Sequence, residues 1–153
     1  DICVVTNLPY YITSKIITKI VSSSTPINRL VAMVQKEVAL KLCSEEKSPL
    51  KMMIDYVGDV QYELNVPRHV FMPAPHVDSA VISIHKERVI SQELIDLIEA
   101  SYTAKRKTLY NNLKPLYDQT KELLESCGIP ANKRAEELNI DDYIRILERS
   151  HTL

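Results

Sequence analysis

The chain has 153 residues, a formal net charge of −1, 45% hydrophobic and 25% charged residues, a balance that suits a folded globular protein and argues against disorder. No apolar run approaches the roughly 18 residues of a spanning helix, and the first residues lack the pattern of a secretory signal, so a cytoplasmic protein without a membrane partner is expected. Cys3, Cys43 and Cys127 are odd in number and carry no metal-ligand spacing, which predicts free thiols, no disulfide framework and no metal site.

The opening run Ile2-Cys3-Val4-Val5 predicts a buried strand ending at Thr6, with no turn or cap ahead of it, and reads as a piece cut from something longer. A helix is predicted from about Ser14 to Ser23, then a strand over Leu30–Val34. Another helix follows from about Lys36 to Ser44, with Val38, Leu42 and Cys43 facing inward. Pro49 suits the first turn of a short helix carrying Leu50, Met53 and Tyr56. The alternation of Val60, Tyr62, Leu64 and Val66 with polar residues marks a half-buried strand, Pro67 to Pro75 a loop, and Ala80–Ile84 a further strand.

Beyond about Lys86 the pattern becomes helical. Ser91 to Leu113 reads as one long helix and Leu116 to Ser126 as a second closed by Gly128. A third is capped by Asn139, with Ile140, Tyr143, Ile144 and Leu147 on its apolar face. The predicted boundary falls near residues 86 to 91, giving an α/β part over 1–88 and a small all-helical domain over 89–153.

Two segments carry chemistry. In Asn7-Leu8-Pro9-Tyr10 an amide follows a predicted strand end, where open α/β sheets collect their ligands. Pro9 fixes its own backbone and biases Leu8 toward extended conformations, so the Asn7 side chain and the Leu8 carbonyl can converge on one small target. A planar amine such as N6 of adenine, held by two acceptors, pyramidalises more readily and frees its lone pair, while Tyr10 can stack on the ring, an interaction worth roughly 1–3 kcal/mol. The alternative is a plain strand-ending turn with Tyr10 in the core. Phe71, the only phenylalanine, sits in a proline-stiffened loop ahead of a strand; it either covers the other face of the same base or plugs the loop against the core. The chain has only two glycines, Gly58 and Gly128, so it contains no glycine-rich turn for a nucleotide cofactor.

Taken together, Asn7-Leu8-Pro9-Tyr10, Gln35-Lys36-Glu37-Val38-Ala39, Phe71-x-Pro73-x-Pro75-x-Val77-Asp78-Ser79-Ala80-Val81 and Lys105-Arg106-Lys107-Thr108-Leu109 resemble, in this order, the ribosomal RNA adenine N6-dimethyltransferase family. Asn112-Leu113, Gly128-Ile129 and Arg134-Ala135-Glu136-Glu137-Leu138 resemble its KsgA-type small-subunit members more than the Erm-type large-subunit methylases. The resemblance implies the carboxyl-terminal half of a Rossmann-like class I methyltransferase domain followed by a helical domain. It further implies a monomer whose parent enzyme methylates two neighbouring adenosines near the 3′ end of small-subunit rRNA, with the rRNA or a pre-ribosomal particle as partner.

By the same resemblance Asn7, Leu8, Pro9 and Tyr10 form the catalytic loop, and Tyr10 and Phe71 sandwich a flipped adenine. Lys105, Arg106 and Lys107 meet RNA phosphates, although such a run is otherwise a solvated helix face. Asn7 and Leu8 would also border the cofactor, S-adenosylmethionine, whose principal binding residues are expected upstream of Asp1. On that expectation the chain alone is inactive. The family's usual Tyr-Gly before Leu-Ser is replaced by Ser48-Pro49-Leu50-Lys51. A non-catalytic RNA-binding or ribosome-assembly module is the alternative.

Overall fold

The apolar opening run becomes a strand at the edge of a sheet. The protein is described by a computed structural model covering residues 2–7 and 12–153. β1 (Ile2–Asn7) pairs in parallel with β2 (Ile27–Gln35), and a parallel pair needs a crossover, which α1 (Thr13–Val21) supplies. β2 is antiparallel to β4 (Ser79–Lys86), which is antiparallel to β3 (Gly58–Val66), giving the order β1-β2-β4-β3. α2 (Lys36–Cys43) and α3 (Pro49–Val57) lead from β2 to β3. This is an α/β fold with a mixed sheet, and none of the described helices is long and apolar enough to cross a membrane.

The chain divides into two compact units, Asp1–Glu46 with Ile54–Ile90, and Lys47–Met53 with Ser91–Leu153. In the first, Ile17 and Val21 of α1, Ala39 and Leu42 of α2, Leu30, Ala32 and Val34 of β2, and Ala80, Ile82 and Ile84 of β4 are buried. Each buried Leu, Ile or Val contributes roughly 1.5–3 kcal/mol. Lys86 is buried as well, its ammonium donating to the carbonyls of Ile20 (3.2 Å) and Ser23 and so closing the carboxyl end of α1. Burial lowers its pKa from the ordinary lysine value.

Three expectations in this unit fail for local reasons. β1 is a strand but not a buried one: at the edge of the described sheet Ile2 and Cys3 are exposed and Val5 is 75% exposed. Cys43 is exposed, the buried positions of α2 being Ala39 and Leu42. Leu64 is 52% exposed because the register of β3 against β4 shifts between Tyr62 and Leu64. The extra residue turns the strand's later side chains over. Gly58 is dictated by close approach, since a Cβ there would lie 1.9 Å from the His85 carbonyl oxygen.

The second unit corrects the long helix predicted over 91–113. α4 (Gln92–Ser101) stops, residues 102–108 turn, and α5 (Leu109–Leu113) begins. Asn112 makes the break: its buried amide donates to the carbonyls of Ser101 (2.8 Å) and Ala104 (3.1 Å), and its oxygen accepts from the Ala104 N–H (3.2 Å). The Ser101 carbonyl is one that the end of α4 leaves unpaired. Thr108 caps α5, its hydroxyl accepting from the Asn111 N–H.

α6 (Thr120–Ser126) starts later than predicted, after a turn in which the buried Thr120 hydroxyl donates to the Tyr117 carbonyl (2.7 Å). It ends as expected at Gly128, φ +71, with the N–H of Ile129 donating to Leu124 O and that of Gly128 to Glu125 O. α7 (Ile140–Ser150) is capped by Asn139 in a reciprocal pair with Asp142, both bonds 3.0 Å. Its deepest residues are Tyr143 and Ile146. The hydroxyls of Tyr143 and Tyr102 both donate to Ala135 O at 3.4 Å. Burial pushes the Tyr102 phenol up to about 12 and raises that of Tyr143 as well.

Candidate functional site

Strand direction decides which residues can meet. β1 and β2 are parallel, and β1 ends at Asn7 opposite Met33, two residues before the end of β2. Gln35 of β2 faces Ser79 at the start of β4, and Ser79 faces Val66 at the end of β3. The end of β1 therefore lies at the same end of the sheet as the loop 67–78, which carries Phe71. Two strand spacings separate β1 from β4, about 10 Å. A flat ring held between two others needs about 3.5 Å on each face.

Asn7 is exposed at the last position of β1. Leu8, Pro9 and Tyr10 lie outside the described residues. Phe71 is half-buried and is not part of the hydrophobic core. It follows the 3-10 turn Arg68–Val70 in extended conformation, φ −100 and ψ 152, its N–H donating to the Arg68 carbonyl (3.2 Å), and the Met72–Pro73 peptide is cis.

Asp78 clamps this loop at both ends. Its Oδ1 accepts from the Arg68 N–H at 2.8 Å, and its carbonyl accepts from the Lys36 N–H at 3.0 Å where β2 passes into α2. Arg68 adds a bond from Nη1 to the His76 carbonyl (3.2 Å). Beside the loop runs a surface groove of about 730 Å³ lined by Lys36, Glu37, Leu40, Arg68, His76 and Asp78. The clamp of Asp78 escaped the reading of the sequence. A signal for it was present, since an aspartate next to a proline-rich loop commonly bonds nearby backbone N–H groups.

Lys105, Arg106 and Lys107 are exposed and belong to the second unit, where they occupy the turn between α4 and α5 rather than a helix face. The Lys107 N–H donates to Ala104 O, and the Leu109 N–H to Lys133 O. Among the described residues no group of three or more His, Cys, Asp or Glu is placed to hold a metal. Neither glycine stands at a strand-to-helix turn, Gly58 opening β3 and Gly128 closing α6.

The model of the family described as ribosomal RNA adenine dimethylase matches residues 1–151. A protein of Fusobacterium nucleatum named ribosomal RNA small subunit methyltransferase A is 37% identical over 95% of this chain and 60% of its own length. The protein of the same name from Geobacillus kaustophilus is 37% identical over 94% of this chain and 55% of its own. This chain therefore spans little more than half the length of those relatives. Among solved structures, a dimethyladenosine transferase from Plasmodium falciparum superposes with a TM-score of 0.83 at 24% identity, covering 99% of this chain and 67% of that one. The 23S rRNA methyltransferase ErmE superposes with a TM-score of 0.66 at 22% identity, covering 97% and 65%.

Proposed function

Since the chain belongs to the ribosomal RNA adenine dimethylase family, we propose that it is the target-recognising part of an enzyme that dimethylates N6 of adenosines in small-subunit rRNA. The relatives named for small-subunit methylation support the choice of RNA. The observation that carries the reading is the placement of Asn7 and the Phe71 loop at one end of the sheet. On this reading the parallel β1–β2 pair followed by the reversed β4 and β3 is the carboxyl-terminal half of a Rossmann-like methyltransferase sheet.

S-adenosylmethionine, when bound, supplies an electrophilic methyl group. The work of this chain is to present a nucleophile. The Asn7 side-chain oxygen accepts from one N6 hydrogen and the Leu8 carbonyl from the other, which draws the amine out of conjugation with the ring. Phe71 covers one face of the base and Tyr10 the other, recovering part of the cost of turning it out of its stack. No general base is required, because the amine becomes acidic only once it carries the new methyl group and then releases its proton to solvent. The groove along Lys36, Arg68 and His76 is a path for the flanking strand, and Lys105, Arg106 and Lys107 add phosphate contacts weakened by salt.

The test joins this chain to the part of the Fusobacterium nucleatum relative that it does not cover and measures transfer of labelled methyl groups to immature small ribosomal subunits. Two methyl groups on N6 of each target adenosine are expected. Tight binding of the particle with no transfer would instead favour a non-catalytic RNA-binding module.

A further inference from the structure

The tip of the clamped loop is apolar, although nothing in its own fold requires that. From Val70 to Pro75 the sequence reads VFMPAP, six residues without a polar side chain. Val70 is 59% exposed and Met72 98% exposed, the barest of the large apolar side chains among the described residues. One exposed methionine needs no explanation, but a run of apolar side chains turned to water is an error unless it is used. The loop that carries them is held in place by the bonds of Asp78 to Arg68 and Lys36.

We propose that Met72 is a positioning residue that enters the RNA stack, filling the gap left when the target adenosine turns out. The inference rests on the function proposed above. Phe71 is half-buried while its neighbour Met72 is 98% exposed, so the two adjacent side chains turn to different surroundings. If Phe71 lies against the turned-out base, Met72 faces away from it, toward the RNA from which the base came. Proteins that unstack a step commonly hold it open with an apolar wedge. An unbranched, polarisable thioether adapts to such an irregular gap. One loop then performs two tasks with adjacent residues, Phe71 receiving the base and Met72 preventing its return.

The experiment uses this 153-residue chain and a hairpin from the 3′ end of small-subunit rRNA with 2-aminopurine replacing one of the two neighbouring target adenosines. Fluorescence of the analogue reports unstacking, and anisotropy of an end label reports binding. The wild-type chain is expected to brighten the probe. Met72→Ala is expected to lose at least about two-thirds of that rise while affinity changes less than about three-fold, and Met72→Leu to restore it. Because Met72 is almost fully exposed, both variants are expected to melt with the wild type. Equal brightening by wild type and Met72→Ala overturns the wedge and leaves the proposed function standing. Binding without any brightening by the wild type overturns both.

Discussion

Replacing Asn7 by alanine is expected to lower the single-turnover rate of methyl transfer by the joined enzyme about 10²–10³-fold, the usual cost of losing one preorganised polar contact in a reacting site. Asn7 is exposed at the end of β1, so its removal leaves the packing of Ile17, Leu30 and Ala32 untouched. Stability is expected to stay within about 0.5 kcal/mol of wild type. RNA affinity should change little, because stacking and phosphate contacts do not pass through this side chain. The loss thus falls on the chemical step, where acceptance of the N6 hydrogen matters most. Asn7→Asp keeps an acceptor oxygen and is expected to retain more of the rate. Quenched-flow measurement with labelled S-adenosylmethionine separates the two outcomes, and an Asn7→Ala rate within three-fold of wild type would remove the residue from the mechanism.

The second large effect concerns folding. Asn112→Ala is expected to destabilise the second unit by about 2–4 kcal/mol, since each buried polar group left unpaired costs about 1–3 kcal/mol. Two backbone groups lose their partner, the Ser101 carbonyl and the Ala104 N–H, while the Ala104 carbonyl keeps its bond from the Lys107 N–H. With Asn112 gone, the turn that carries Lys105, Arg106 and Lys107 loses its inner support. A lower urea midpoint at unchanged slope is the expected reading. A shift below about 0.5 kcal/mol would mean that water or a relaxed turn satisfies those groups.

Asn112 also explains where the sequence could and could not be read. The strands were legible because apolar runs such as Leu30–Val34 and Ala80–Ile84 have few alternatives, and the ends at Asn139 and Gly128 because caps are local chemistry. The break between α4 and α5 was not legible, because Asn112 reaches back 11 residues to satisfy Ser101, a long-range bond within a continuous helical pattern. Thr108 ahead of Leu109 was a cap signal, and the periodicity masked it. Leu64 was misplaced for a similar reason: one extra residue in β3 reverses a period-two pattern and leaves no mark in composition.

At the site, the residues that would touch a base were visible as a motif. Asp78, which holds the Phe71 loop from both sides, was visible only as part of a string. Its importance lies in bonds to Arg68 and Lys36, 10 and 42 positions away in sequence, a relation that a one-dimensional reading does not contain.

The most direct measurement is a crystal structure of the protein with an RNA fragment that carries the target adenosine. The purine is expected against the Phe71 ring, with N6 about 2.7–3.2 Å from the Asn7 side-chain oxygen. A purine bound elsewhere, or one beside Phe71 whose amino group points away from Asn7, would contradict the account.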